Sequence, residues 1–74
     1  MKVTIYSKDN CSFCDRAISL AESRDLDVNV LKLDKDFTIE QLKEWFPSAK
    51  SFPQVIVDDE NIGGFKEFQA LIRG

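Results

Sequence analysis

Cys11 and Cys14 stand where the hydrophobic pattern of the chain changes its period. Residues 3–6 alternate between aliphatic and more polar side chains, which predicts a strand of about five residues. Beyond them the apolar residues recur at helical spacing, at Cys14, Ala17, Ile18 and Ala21. Asn10 is the predicted N-cap, which puts Cys11 at the first helical position. The two thiols are therefore expected at a junction between a strand and a helix.

The length of the chain limits how much it can enclose. Its 74 residues, 43% of them hydrophobic and 31% charged, fit a single small domain that spans residues 1–74. A chain of this size buries only roughly 60% of the surface that it exposes when unfolded, so any site is expected at the surface. The formal net charge of -3, without a run of basic residues, argues against nucleic acid or an anionic membrane as a partner.

The sequence also predicts a compartment. No stretch approaches the roughly 20 apolar residues that cross a bilayer, and no signal peptide precedes the first strand, so we expect a cytoplasmic protein. In a reducing compartment a cysteine pair is more often a redox or metal site than a structural disulfide. The chain has no histidine, which excludes imidazole general-base catalysis and zinc sites with a His ligand. The two cysteine thiols are therefore the candidate reactive groups.

The middle of the chain predicts a second strand and a second helix. Residues 27–33 are rich in Val and Leu, which predicts a strand buried on at least one face. Thr38 and Gln41 form the signature of a capping box at the start of a helix, and a proline ends that helix. Its aromatic residues, Trp45 and Phe46, are predicted to pack in the core.

The last third of the chain completes the predicted fold. Residues 53–58 predict a third strand, and the polar segment after them predicts a hairpin to a very short fourth strand at Ile62. Gly63 and Gly64 end this strand, and an amphipathic helix from Phe65 runs to the end of the chain. The order βαβαββα, with parallel strands on either side of the first helix, predicts an α/β fold with a four-stranded mixed sheet and three helices. This is the minimal thioredoxin-like architecture.

The spacing of the two cysteines suits reversible disulfide chemistry. Residues three apart share one helix face, with Cα atoms about 5 to 6 Å apart, which is within the reach of a disulfide. Unpaired N–H groups and the dipole at the start of a helix lower the pKa of the outer thiol, so Cys11 is the predicted nucleophile. Cys14, on the apolar stripe, is predicted to be buried and to react second. Lys8 is placed to add positive charge near the thiolate, which Asp15 would oppose if it pointed inward.

Two other interpretations of the cysteine pair are open. A structural zinc site needs four ligands, and the chain offers neither a second cysteine pair nor a histidine to complete one. Two inert, buried thiols are the other interpretation, although a junction of strand and helix is where a thiolate is best stabilised. For Lys8 the alternative is an ordinary solvated lysine.

Three motifs that follow one another along the chain resemble those of the glutaredoxin family. They are Tyr6-Ser7-Lys8 with Cys11-Ser12-Phe13-Cys14, Pro53-Gln54-Val55, and Ile62-Gly63-Gly64-Phe65. The resemblance covers nearly the whole chain and implies a small dithiol glutaredoxin of the thioredoxin-like superfamily. Such enzymes use glutathione to reduce protein disulfides and glutathione mixed disulfides. Cys11 would be the nucleophile and Cys14 the resolving thiol, with glutathione as co-substrate and no tightly bound cofactor.

The resemblance also implies a glutathione site. Pro53 would be the family's cis-proline, and the backbone of Phe52 would pair with glutathione as an added strand does. Backbone N–H groups near Gly64 to Lys66 would hold the glutamyl carboxylate. A trans-proline that starts an edge strand and a simple hairpin exit are the structural alternatives. The implied glutathione contacts are Lys8, Phe13, Phe52, Pro53, Gly64, Phe65, Lys66 and Glu67.

Several positions depart from the commonest family pattern. Ser12 replaces a usual proline and Phe13 a usual tyrosine. Glu67 stands where many members have aspartate, and Lys66 where Asp, Thr or Ser is frequent. The glutamyl site would therefore rely more on Lys66 than on a carboxylate that meets the ammonium group. Glutaredoxins without that proline include dimers that bridge a [2Fe-2S] cluster through the first cysteine of each protomer and two glutathione thiols. Cys11 as a cluster ligand in such a dimer is one alternative.

A redoxin that takes electrons from thioredoxin reductase is the other functional alternative. The partners that the resemblance implies are glutathione and proteins with disulfides, of which ribonucleotide reductase is an example at the level of the family. We expect the protein to act as a monomer.

Overall fold

The computed structural model describes residues 1–49 and 51–73 and confirms the predicted α/β architecture. Its elements are β1 (Lys2–Ser7), α1 (Ser12–Ser23), β2 (Asp27–Lys32), α2 (Ile39–Trp45), β3 (Gln54–Val57), β4 (Glu60–Gly63) and α3 (Phe65–Arg73). The last helix is confirmed as far as Arg73, and Gly74 lies outside the described residues. No helix within the described ranges is both long and apolar enough to span a membrane.

β1 lies inside a sheet with the strand order β2-β1-β3-β4. It pairs in parallel with β2, where Val3 lies opposite Val28, and antiparallel with β3, where Tyr6 lies opposite Gln54. β4 pairs antiparallel with β3. This is the four-stranded mixed sheet that the sequence predicts, with a thioredoxin-like arrangement of strands and helices. It brings the end of β1, which leads to the cysteines, next to the start of β3.

The core lies on the face of the sheet that α1 and α3 cover. Val3 and Ile5 point to this face because side chains alternate along a strand, and both are fully buried. Phe68 of α3 is fully buried as well, and burial of a Phe side chain stabilises a fold by about 1.5–3 kcal/mol. The cluster comprises Val3, Ile5, Ala17, Ala21, Val55, Val57 and Phe68. These contacts fix α1 and α3 against the strands that carry the site.

Aromatic side chains surround Tyr6, which alternates with Ile5 and faces away from this core. The Tyr6 ring centroid lies 5.1 Å from that of Phe37, 5.5 Å from that of Phe46 and 6.2 Å from that of Trp45. Burial raises the pKa of the Tyr6 phenol above its ordinary value. The prediction that Trp45 packs in the core is wrong, because 49% of its surface is exposed. Trp45 is the last residue of a short helix and meets Tyr6 with only part of its ring, while Phe46 is half-buried.

β2 is less buried than its composition predicts. Val28 and Leu31 are half-buried, and Val30 is 39% exposed. The expectation of a strand buried on at least one face is therefore met only in part, because Val28 packs against the core without being fully buried. A strand at the end of a sheet has a neighbouring strand on one side only, and its residues are correspondingly more open to solvent.

The starts of the first two helices differ in how well the sequence predicts them. The capping box of α2 is confirmed, because Thr38 Oγ1 accepts the Gln41 N–H at 3.2 Å and the Gln41 side chain accepts the Thr38 N–H at 2.9 Å. Asn10 as the N-cap of α1 is wrong. Cys11 is the N-cap, and Asn10 precedes it with a φ of 56°. Asn is among the few residues that adopt this left-handed conformation readily, so Asn10 turns the chain toward the helix.

The predicted hairpin between β3 and β4 is confirmed. Asp58 and Asp59 form its two-residue turn, with φ values of 49° and 71°. Positive φ at both central residues is typical of the turns whose twist matches that of the flanking strands. The hairpin places Gly63 and Gly64 beside the start of β3.

Candidate active site

Cys11 and Cys14 form a disulfide at the start of α1, with their Cα atoms 5.2 Å apart. Cys11 is half-buried, whereas only 1% of Cys14 is exposed. The Cys11 Sγ accepts a hydrogen bond of 3.2 Å from the backbone N–H of Cys14, so the sulfur takes the place of a capping oxygen. The outer cysteine can therefore meet a substrate, while the inner one is covered by the protein.

A cleft of about 810 Å³ opens beside Cys11. Its walls come from the loop before α1, from one face of α2 and from the segment before β3. The residues that line it are Lys8, Asn10, Cys11, Ser12, Phe13, Ile39, Leu42, Lys43, Ala49, Ser51 and Phe52. The charged side chains in this lining are both lysines, so the cleft favours ligands with carboxylates although the whole chain is acidic.

Lys8 lines this cleft. Its Nζ lies 5.7 Å from the centroid of the Phe52 ring, within the range of a cation–π contact. The neighbouring carboxylate of Asp9 turns to Lys32 instead, with 2.9 Å between Oδ1 and Nζ. That hydrogen bond and charge raise the pKa of Lys32 above its ordinary value. The structure thus brings Lys8 to the cleft that contains Cys11, as the sequence predicts.

A smaller pocket of about 190 Å³ adjoins the first one. Phe13 and Phe52 line both, so the two form one continuous surface. The residues around the smaller pocket are Phe13, Ser51, Phe52, Pro53, Gly64, Phe65, Lys66 and Glu67. Seven of the eight predicted glutathione contacts therefore meet here, and the eighth, Lys8, lies in the neighbouring cleft. The peptide bond between Phe52 and Pro53 is cis, as the resemblance implies.

Phe13 connects the cysteine turn with the start of α3. Its ring centroid lies 6.0 Å from that of Phe65, and the guanidinium carbon of Arg16 lies 5.4 Å from the Phe13 centroid. Even so, 47% of Phe13 is exposed. An aromatic ring that is held at both sides and open on top suits contact with a substrate that docks onto the disulfide.

Hydrogen bonds of side chains shape the Gly63-Gly64 turn. The Asn61 Oδ1 accepts the Gly63 N–H at 2.9 Å, and the Glu67 Oε1 accepts the Gly64 N–H at 2.8 Å. Asn61 in turn donates to the buried Gln54 at 3.4 Å. The turn is thus tied to β3 on one side and to α3 on the other.

Lys43 is a part of the cleft that the sequence reasoning missed. It lies in the cleft lining with Ile39 and Leu42. These residues are spaced at i, i+3 and i+4, which places them on one face of a helix. Ile39 and Leu42 belong to the apolar stripe of α2. The spacing of Lys43 from them could have indicated that it lies beside the same face. No group of three or more His, Cys, Asp or Glu residues that could hold a metal ion occurs in residues 1–49 and 51–73.

A disulfide at the start of the first helix, in a cleft that it shares with the residue before a cis-proline, in a fold with a mixed four-stranded sheet, defines a thioredoxin-like thiol-disulfide oxidoreductase. The comparisons with known proteins narrow this class. The family model Glutaredoxin matches residues 3–62. The chain is 31% identical over 71 residues to a probable glutaredoxin of Synechocystis, across 95% of this chain and 81% of that protein. The chain belongs to the glutaredoxin family.

Solved structures agree with this assignment. Reduced Escherichia coli glutaredoxin has a TM-score of 0.82 at 28% identity, over 99% of this chain and 94% of that one. A glutaredoxin–glutathione complex from buckwheat has a TM-score of 0.80 at 21% identity, over 96% of this chain and 67% of that one. At that identity the second likeness concerns the fold alone.

Proposed function

We propose that this protein is a glutathione-dependent disulfide reductase that acts on protein disulfides and on glutathione mixed disulfides. The observation that carries the proposal is that the two cysteines differ in exposure to solvent. Cys11 lies at the open end of a helix beside two adjoining clefts, and Cys14 lies beneath it with 1% of its surface exposed. A nucleophile must reach its substrate, whereas a resolving thiol needs to reach only the first sulfur.

The reaction starts from the reduced dithiol, with Cys11 as a thiolate. The N–H groups at the start of α1 and the helix dipole stabilise that charge, and Lys8 adds a cation in the same cleft. The thiolate attacks the glutathione sulfur of a mixed disulfide. A bond forms between Cys11 and glutathione, the substrate disulfide bond breaks, and the substrate leaves as a thiolate that takes a proton from water.

A second glutathione completes the monothiol route. Its thiolate attacks the glutathione sulfur on Cys11, which releases oxidised glutathione and restores the Cys11 thiolate. For a protein disulfide, the Cys11 thiolate first attacks one substrate sulfur, which forms a bond between Cys11 and the substrate and releases the other substrate cysteine as a thiolate. Cys14 then attacks the Cys11 sulfur of this bond. The substrate leaves fully reduced and the Cys11–Cys14 disulfide remains, which two glutathione molecules then reduce to the dithiol with release of oxidised glutathione. The geometry of the pair, with Cα atoms 5.2 Å apart, permits this closure.

The glutathione site in this proposal follows the surface of the smaller pocket. The backbone of Phe52, before the cis peptide bond, would pair with the backbone of glutathione. The start of α3, with Lys66, would receive the glutamyl carboxylate. The membership of the chain in the glutaredoxin family supports this choice of co-substrate. Such a reaction depends on a reduced glutathione pool, and we propose the cytoplasm as its setting.

The test is the oxidation of NADPH in an assay that couples this protein to glutathione, glutathione reductase and a glutathione mixed disulfide. We expect turnover that requires both the protein and glutathione. A parallel assay replaces glutathione and its reductase with thioredoxin reductase. Turnover in the second assay alone, with protein whose thiols are intact, would overturn the role of glutathione.

A further inference from the structure

We propose that Glu67 is a specificity-determining residue that competes with the glutamyl carboxylate of glutathione for the start of α3. The inference rests on the proposed function, because it concerns the same binding site. It differs from the role that the resemblance implies for Glu67, which is that of a glutathione contact.

The contact that carries the inference lies within the first turn of α3. Gly64 directly precedes the helix, and Glu67 is its third residue. The Glu67 Oε1 accepts the Gly64 N–H at 2.8 Å. This is one half of a capping box, in which the third residue reaches back to the residue that precedes the helix. Gly64 has no side chain, so the other half cannot form. The protein's own carboxylate is therefore the anion at this helix start.

Gly63 lies beside the same Glu67 carboxylate. A Cβ atom added to Gly63 would lie 2.7 Å from the Glu67 Oε1, which is closer than real contacts of this kind. Gly63 also has a φ of 113°, a conformation that residues with side chains rarely adopt. The carboxylate of Glu67 thus lies where a side chain at position 63 would begin, and the φ of Gly63 favours glycine at that position in its own right. The contact thus depends on two residue types in the sequence, a glycine at position 63 and a glutamate at position 67.

The consequence is a competition between two carboxylates. An incoming glutamyl carboxylate would be stabilised by the positive end of the helix dipole and by the Gly64 N–H. The Glu67 Oε1 already accepts that N–H. A ligand carboxylate must displace Glu67 or bind next to its charge. Ligands without that carboxylate do not meet this obstacle. Glu67 therefore lowers the preference of Cys11 for glutathione over other disulfides, such as those of peptides that lack a γ-glutamyl group.

The experiment compares two mixed disulfides of the same small thiol, one with glutathione and one with cysteinylglycine, which lacks the γ-glutamyl residue. In Glu67→Ala we expect KM for the glutathione disulfide to fall by about three- to tenfold, the range for one charge-assisted contact at a helix start. KM for the cysteinylglycine disulfide should not change. Glu67→Gln keeps an acceptor for the Gly64 N–H but loses the charge, so its KM should lie between those of the other two proteins.

The matched control is Glu22→Ala, which removes the same charge from an exposed position on α1 outside both pockets. It should leave both KM values unchanged. The amide resonance of Gly64 gives a readout besides activity, because it should move in Glu67→Ala before any ligand is added. If Glu67→Ala fails to fold, the Glu67→Gln variant still decides the question through its KM for the glutathione disulfide.

Three outcomes would overturn the inference, and they differ from one another. A higher KM for the glutathione disulfide in Glu67→Ala would mean that Glu67 binds the ligand. An unchanged KM in Glu67→Ala, together with wild-type protein that is active with glutathione, would show that Glu67 does not compete with the ligand. The proposed function would still stand. Activity of all variants with thioredoxin reductase, but of none with glutathione, would overturn both this inference and the proposed function.

Discussion

The backbone N–H of Cys14 points at the Sγ atom of Cys11 across 3.2 Å. The contact belongs to the N-cap of α1, where N–H groups have no partner within the helix. After reduction of the disulfide, this N–H and the helix dipole favour a thiolate on Cys11 over one on Cys14. Two cysteines separated by only two residues thus differ in charge state and in access.

Serine in place of each cysteine separates their roles. We expect Cys11→Ser to reduce glutathione mixed disulfides no faster than the uncatalysed reaction, because the remaining thiol, Cys14, has only 1% of its surface exposed and cannot meet the substrate. Cys14→Ser should retain this activity, since the monothiol route does not use Cys14. The coupled NADPH assay measures both, and the two variants control for each other because each loses one sulfur. Equal loss of activity in both would contradict the monothiol route.

Alkylation of the reduced protein measures the difference in reactivity between Cys11 and Cys14 directly. We expect iodoacetamide to modify Cys11 at least about tenfold faster than Cys14, because reaction requires both a thiolate and access. Peptide mass spectrometry at increasing times identifies the modified residue. In urea both thiols should react at similar rates, which serves as the control. A faster reaction of Cys14 in the folded protein would contradict the burial seen here.

Tyr6 predicts how stability depends on alkaline pH. Burial raises the pKa of its phenol in the folded state, so folding favours the neutral form. The stability that depends on it is fully present below pH of about 10, where the phenol is neutral in both states, and is lost as the pH rises through the raised pKa.

The chain has one tyrosine, so the phenolate absorbance reports this group alone. We expect the absorbance titration to be displaced to higher pH in the folded protein relative to the protein in urea. Tyr6→Phe is the control for stability, because it keeps the ring and removes the ionisation. The free energy of unfolding of Tyr6→Phe should fall less between pH 9 and pH 11 than that of wild type, two values chosen about one unit on either side of the ordinary pKa. Equal losses in the two proteins would show that other groups dominate.

Gly63 and Glu67 should be coupled in stability. We expect Gly63→Ala to lower the free energy of unfolding by about 1–3 kcal/mol, because its φ of 113° disfavours a side chain and its Cβ would meet Glu67. In the background of Glu67→Ala the loss should be smaller, since the contact is absent. Gly64→Ala is the matched control, because its Cβ would lie in ordinary contact, 3.5 Å from the nearest atoms. Urea unfolding of the four proteins in the cycle measures the coupling, and strict additivity would contradict it.

Elements with a local signal in the sequence are predicted well. The capping box of Thr38 and Gln41 involves residues three apart, and the alternation in residues 2–7 needs no information from elsewhere in the chain. The turn at Asp58 and Asp59 is equally local. For the same reason the order of strands and helices follows from the sequence, and with it the parallel pairing across the first helix.

Features that depend on distant residues are predicted less well. Trp45 lies on an apolar stripe, but its exposure depends on how much of its ring meets Tyr6, which comes from another part of the chain. Val30 has the composition of a buried strand, and its exposure follows from the place of β2 at the edge. The N-cap differs by one residue because Asn10 and Cys11 can both begin a helix, and the left-handed backbone of Asn10 decides between them.

The site divides in the same way. The cysteines and the proline of the cis peptide bond are found from their motifs, and seven of the eight predicted glutathione contacts line one pocket. The contact of Glu67 with Gly64 was not predicted, although a glutamate at the third position of a helix is a known capping signal. Which of two ways a flexible carboxylate turns, toward a ligand or toward its own backbone, is decided by rotamers and not by sequence spacing.

The central place of β1 in the sheet has a consequence for the synthesis of the protein. Lys2–Ser7 can pair with Asp27–Lys32 early, but its other edge has no partner until Gln54–Val57 leaves the ribosome. The two cysteines therefore leave the ribosome before the segments that surround them in the folded protein. During this interval oxidants can reach both thiols, and the cleft that selects their reaction partners does not yet exist.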